Sequence, residues 1–236
     1  MTRSRPVVAP AIAPVVAIDG PVGAGKSTVA RRLAEVLGFE YVNTGAMYRA
    51  VAVAARAAGI RDDDPEAERK LGALLETARI EFSAGRIMLD GCDVSAEIVT
   101  PEMSESASRL STLGVVRARM RELQRAAGER GGVVMEGRDI GTAVFPDAEF
   151  KFFLDASAEV RAERRWRELA ARGVEIARAE VLAQLLERDR RDRGRELAPL
   201  RPAPDAHVVD ASRMGVEEVV TLMAQCVRAR GGGLRA

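Results

Sequence analysis

Nine consecutive residues, Gly20-Pro21-Val22-Gly23-Ala24-Gly25-Lys26-Ser27-Thr28, have the types and spacing that hold a polyphosphate, G-x-x-x-x-G-K-S. The glycines let the backbone bend sharply and turn its N–H groups toward one point. A helix beginning there adds partial positive charge at the same point. Lys26 is expected to reach the β- and γ-phosphates, and the Ser27 hydroxyl to ligate Mg²⁺. The chemistry predicted for this stretch is binding of a nucleoside triphosphate.

Such a loop works only between a strand and a helix, and both are legible. Val15 to Asp19 is a short apolar run of strand type, and residues 29–37 carry apolar positions at helical spacing before Gly38. A second strand is expected over 39–42. A helix through residue 54 should follow, with Thr44 as its N-cap. Pro65 suits the first position of a helix over 66–76. Residues 79–94 change character: two short apolar runs around Ser83-Ala84-Gly85 read as an antiparallel hairpin. A long helical stretch over 100–128 is interrupted near Gly114. Further strands are expected at 133–135, 150–155 and 207–210, with helices over 157–172, 175–193 and 216–230. Strands alternating with helices predict a doubly wound parallel sheet, whose ligands bind at the carboxyl ends of strands. Asp19, the Glu136–Asp139 cluster and Asp155 all fall at such ends.

Composition narrows the function classes. The 236 residues are 47% hydrophobic and 30% charged, ordinary for a globular chain able to bury a sizeable core. A formal net charge of +1 argues against bulk attraction to nucleic acid or membrane. No apolar run approaches the ~20 residues of a membrane span. Residues 1–14, rich in Ala, Val and Pro, read as a flexible tail rather than a signal peptide, because cleavage would damage the loop. Residues 231–236 read as a second tail, which leaves a single domain over 15–230. Two distant cysteines and one histidine, His207, offer no zinc-ligand spacing. A cytoplasmic protein with reduced thiols is expected.

The loop identifies a donor and leaves the acceptor open. Three further segments narrow it: Thr44-Gly45-Ala46-Met47-Tyr48-Arg49, Glu136-Gly137-Arg138-Asp139-Ile140-Gly141-Thr142, and Glu187-Arg188-Asp189-Arg190-Arg191-Asp192-Arg193-Gly194-Arg195. Together with Asp19-Gly20-Pro21 and Val144-Phe145-Pro146-Asp147-Ala148, they make the chain resemble the bacterial cytidylate kinase family from about Val15 to Gln225. The resemblance implies an α/β P-loop NTPase fold: a five-stranded parallel sheet flanked by helices, a core over 15–60 and 130–230, a small antiparallel and helical monophosphate-binding insertion over about 61–129, and a short helical lid over 157–172. It implies transfer of the γ-phosphoryl group of ATP to CMP or dCMP, by a monomer.

Carried over residue by residue, Arg49, Arg138 and Arg195 would hold the acceptor phosphate, with Thr44 supporting them. Ser108, Arg117 and Asp139 would contact cytosine, and Arg188 and Asp192 the ribose. Arg161, Arg164 and Arg165 would close over the donor phosphates. Lys26, Arg138, Asp139, Arg161 and Arg195 form the implied catalytic set. Three departures stand out: Val22 in the loop where serine is commoner, Asn43 where the family has aspartate, and Arg190 at an acidic position. The competing readings are a solvated helix face for Arg161 to Arg167 and surface pairing of Asp189 with Arg193, four residues apart. Another small-molecule P-loop kinase, for UMP/CMP, AMP or shikimate, stays open as an alternative. A GTP-binding regulatory module is disfavoured, because no N-K-x-D segment occurs.

Overall fold

The computed structural model describes residues 13–61, 63–83 and 85–230. Both expected tails, apart from Ala13 and Pro14, lie outside the described residues. The strands β1 (Val15–Asp19) and β2 (Glu40–Asn43) flank helix α1 (Lys26–Leu37), and α2 (Thr44–Ala57) and α3 (Ala67–Thr77) follow. A small sheet, β3 (Ile80–Ser83), β4 (Arg86–Leu89) and β5 (Cys92–Asp93), precedes α4 (Pro101–Leu110) and α5 (Gly114–Gly128). The chain then runs through β6 (Val133–Gly137), a π-helical turn (Ile140–Val144), β7 (Phe150–Asp155), α6 (Ala158–Ala171), α7 (Arg178–Gly194), β8 (His207–Asp210) and α8 (Val216–Arg230).

The main sheet has the order β2-β6-β1-β7-β8 and every pairing in it is parallel. Its central strands are buried on both faces, which is why they read as unbroken apolar runs instead of alternating ones. On one face Val16, Ile18, Phe150, Phe152 and Leu154 pack against Leu33 of α1 and Val220 and Met223 of α8. The other face, with Ala17, Val133 and Met135, is covered by Ile140 and Val144 of the π-turn. A separate core joins α2 to α5 with β3 and β4. Full burial of a side chain of Phe, Leu or Ile size stabilises by about 1.5–3 kcal/mol.

Caps place the functional helices. Gly25, at φ 95°, stands at the N-terminus of α1 without a side chain, so no hydroxyl or carboxylate occupies the first-turn N–H groups. Gly23 (φ 77°) lies where a Cβ would come within 2.9 Å of the Arg161 carbonyl oxygen, so the loop can press against α6 only with glycine there. Ser157 caps α6, and Thr100 with Pro101 starts α4.

Four expectations are corrected. The cap of α2 is Asn43, whose side chain accepts from the Ala46 N–H at 3.0 Å; Thr44 is the first helical residue and turns its hydroxyl elsewhere. Pro65 does not open α3, because Asp64 closes a turn onto the Glu66 N–H at 2.8 Å and delays the helix to Ala67. Helix α7 begins at Arg178 instead of 175. The connection before it is held by the Trp166 indole N–H donating to the Ile176 carbonyl at 3.1 Å. Asp189 does not pair with Arg193; it is buried and faces Arg161.

Candidate active site

The loop after β1, the start of α2, the end of β6, and helices α4 to α7 surround one cleft of about 760 Å³. Ten of its lining residues are lysine or arginine and four are aspartate or glutamate. In a chain of net charge +1, that local excess of cations marks a polyanion site.

One wall is the loop. Its residues from Val22 to Thr28 line the cleft, and Gly20 and Pro21 bring the chain in from β1. Lys26 is buried, and its ammonium donates to the Pro21 carbonyl at 2.7 Å, folded back on its own loop. Burial, with Arg138 adding repulsion, pulls its pKa down to about 7. Arg164 crosses from α6 to donate to the Ala24 carbonyl at 3.2 Å and the Ala211 carbonyl at 2.8 Å. Arg165 also lines the cleft and pairs with Glu168 at 2.8 Å. Ser27 is exposed to the cleft.

The opposite wall is built from side chains of distant segments. Asp139, at the end of β6, makes a very short contact with Arg117 Nη2 of α5 and lies 3.6 Å from Arg195 Nη2. Arg138 Nε donates to Asp192 Oδ2 at 3.0 Å, and Arg188 Nη1 to Ser104 Oγ at 2.9 Å. Arg49 makes no hydrogen bond or ion pair with another described residue. Thr44 donates to the Glu136 carbonyl at 2.7 Å, tying the start of α2 to β6. Four buried atoms without a hydrogen-bond partner lie on this wall: Ser108 Oγ, Arg117 Nε, Arg188 Nε and Arg195 Nη2. Leaving such groups unpaired is costly, so a polar ligand suits this wall.

The electrostatics agree. Burial, followed by the neighbouring Arg138, lowers Arg188 to about 10. Burial also lowers Arg49 and Arg195 below the usual guanidinium range. Burial alone would raise Asp192, but Arg138, Arg188 and Arg195 outweigh it and hold the carboxyl low. Cations are crowded here beyond what the local carboxylates balance, an imbalance that a phosphate dianion repairs.

The fold therefore brings together all but one of the side chains expected at the site. The exception is Arg161, expected over the donor phosphates. It is 4% exposed and committed to protein: to the Ala156 carbonyl at 2.8 Å, the Val22 carbonyl at 3.2 Å and Asp189 at 2.7 Å. It is neither a solvated face nor a free cation, but a rivet between the loop, α6 and α7. Arg190 is exposed and paired with Glu187, and the Val22 carbonyl accepts from Arg161.

Sequence reasoning assigned no role to Asp19 and Glu136, both buried. Asp19 accepts from the Ile140 and Gly141 N–H groups at 2.8 Å each, and burial raises its pKa to about 6. Glu136 accepts from Tyr41 Oη at 2.6 Å, and Arg31 lies over the Tyr41 ring at 5.4 Å. The available signal was their place as the polar ends of apolar strands. Across the mouth of the cleft, Arg172 at the end of α6 donates to the Val99 carbonyl at 2.9 Å. Among the described residues no cluster of three or more His, Cys, Asp or Glu is placed to hold a metal, and no helix is long and apolar enough to cross a membrane.

Comparison with known proteins adds an independent finding. Residues 16–229 match the family model described as cytidylate kinase. The chain is 50% identical over 218 residues to the cytidylate kinase of Geobacter sp. (strain M21), covering 92% of this chain and 93% of that one. It is 50% identical to the cytidylate kinase of Pelotomaculum thermopropionicum, covering 92% and 96%. Among solved structures, the shikimate kinase from Acinetobacter baumannii in complex with shikimate aligns over 94% of this chain and 96% of its own, at 18% identity and a TM-score of 0.45.

Proposed function

The chain belongs to the cytidylate kinase family, and from that premise we propose the division of labour by which it transfers the γ-phosphoryl group of ATP to CMP or dCMP. The observation that carries the proposal is the wall facing the loop: a buried Arg117–Asp139 pair beside an unpartnered Ser108 hydroxyl, under a cluster of arginines. Cytosine presents an amino donor at N4 and acceptors at N3 and O2. Asp139 accepts from N4, while Arg117 and Ser108 donate to the ring acceptors. Uracil inverts two of these groups and leaves buried partners unpaired, at about 1–3 kcal/mol each.

The acceptor phosphate takes Arg49, Arg138 and Arg195, with Thr44 holding α2 in place beneath them. Arg188 and Asp192 take the sugar. The donor phosphates sit on the N–H groups that residues 20–28 offer at every position but Pro21, and Lys26 leaves the Pro21 carbonyl to meet them. Arg164 and Arg165 approach from the α6 side. Phosphoryl transfer needs positioning and charge neutralisation more than covalent help. The acceptor phosphate is already ionised at neutral pH, so no general base is required. Closure of α6 over the cleft excludes water that would otherwise take the phosphoryl group.

Mg²⁺ fits the donor set. Ser27 is one exposed hydroxyl, with the Tyr41–Glu136 pair close behind it. A site with so few protein ligands suits an ion that keeps its waters and takes phosphate oxygens. Bound there, Mg²⁺ would neutralise charge on the donor phosphates. We further propose one kinase domain over 15–230, with a monophosphate-binding insertion over 61–129 and a lid over 157–172, acting as a cytoplasmic monomer.

The test is an acceptor panel of CMP, dCMP, UMP, AMP and shikimate with coupled ADP detection. CMP and dCMP are expected to exceed UMP at least about tenfold in kcat/KM. Equal values for CMP and UMP would refute the base assignment. Arg138→Ala should lower kcat/KM for CMP by about 10²-fold, with KM for ATP little changed.

A further inference from the structure

We infer that Asp19 is a positioning residue for base recognition: its carboxylate caps the π-turn after β6 and so releases Asp139 to face the acceptor. This rests on the reading above that Asp139 contacts cytosine.

The π-turn Ile140–Val144 starts immediately after Asp139, so the Ile140 and Gly141 N–H groups have no partner within the turn itself. From Ala143 onward the donors are satisfied, Ala143 and Val144 donating to the Asp139 carbonyl at 2.9 and 3.2 Å. An aspartate preceding a helical turn ordinarily turns its own side chain back onto such free N–H groups. Asp139 does not: it makes no capping hydrogen bond and is engaged instead by Arg117 and Arg195. The capping comes from another strand. Asp19 pairs in register with Gly137 at the carboxyl end of β1, and its two oxygens accept one N–H each, both at 2.8 Å. A Cβ at Gly141 would stand 3.2 Å from the Lys151 side chain and 3.5 Å from Asp19 Oδ2, so the turn runs between the two.

The arrangement explains why a carboxylate is kept at a buried position where it is costly. Remove its acceptors, and the vacated N–H groups compete with Arg117 and Arg195 for the Asp139 side chain. Asp19 also immediately precedes Gly20, so one residue ties the start of the donor loop to the residue that reads the base.

The experiment compares wild type, Asp19→Asn, Asp139→Asn and the double variant, each with CMP and UMP. Asp19→Asn keeps the shape but offers one acceptor oxygen in place of two. It is expected to raise KM for CMP about tenfold and to lower the CMP/UMP ratio of kcat/KM, with KM for ATP changed less than about twofold. In the Asp139→Asn background, the same change should cost no further specificity. Asp19→Asn with an unchanged CMP/UMP ratio, or with equal losses for both acceptors and a raised KM for ATP, overturns the inference. So does an additive double variant. Should Asp19→Asn fail to fold, amide exchange in the wild type decides: the Ile140 and Gly141 N–H groups must be protected, and fast exchange overturns the capping. A wild type that shows no preference for CMP would instead sink the base assignment, leaving the Asp19 hydrogen bonds untouched.

Discussion

The two walls of the cleft are made in different ways. The wall proposed for the donor is one contiguous loop, assigned to act mainly through backbone N–H groups, and its one long cation, Lys26, is already partnered within the loop. The wall proposed for the acceptor takes side chains from α2, α4, α5, the end of β6, α7 and the residue after it, and several of its polar atoms have no partner. A backbone site is stiff and general, because any triphosphate presents the same oxygens. A side-chain site is selective, because each group must meet its complement. On the proposed assignment, rigidity serves the donor and discrimination the acceptor.

The largest expected effect tests whether the donor wall is mainly backbone. Lys26→Ala should lower kcat by about 10²–10³-fold, as loss of one preorganised charge does, while KM for ATP moves far less. Steady-state kinetics over ATP concentration measures both. A rise in KM as large as the fall in kcat would break the contrast, since the amides would then not be holding the donor.

A second change sharpens the comparison at the seam between the walls. Arg161 joins Val22 of the loop to Asp189 of α7. Arg161→Leu leaves Asp189 buried and unpaired, which should cost about 3 kcal/mol in urea unfolding. If stability is unchanged and only KM for ATP rises, Arg161 belongs to the donor wall after all.

The smallest effect concerns the departure at Asn43. Asn43→Ala removes the cap of α2 and should cost about 1 kcal/mol of stability. Asn43→Asp should restore the cap, and with it the thermal midpoint. Asn43 serves here as a helix cap, which either residue type performs.

Some of this was legible in one dimension. The loop, its strand and its helix are consecutive in sequence, so spacing alone announced them. The parallel sheet followed from apolar runs alternating with helical ones, because strands buried on both faces need no polar alternation. The residues proposed for the acceptor could be named only through resemblance, since Ser108, Arg117 and Asp139 share no local pattern. Two departures from expectation share a cause, a partner distant in sequence. Thr44 looked like a cap because threonine often is one, yet the Glu136 carbonyl, 92 residues away, took its hydroxyl. Arg161 looked like its neighbours Arg164 and Arg165 because all three share a helix. Only α7, packed across from it, supplied the buried Asp189 that claimed it.

By itself, the sequence determined the phosphate loop, the order of strands and helices, and the absence of any apolar run long enough to span a membrane. Local backbone preference and periodicity act within a few residues, and those features need nothing more. The tertiary structure alone decided which arginines face the cleft, which are consumed as struts, and that Asp19 rather than Asp139 caps the turn after β6. Hydrogen bonds and ion pairs between residues 20 to 140 positions apart depend on which strands lie side by side, and that is settled only when the core packs.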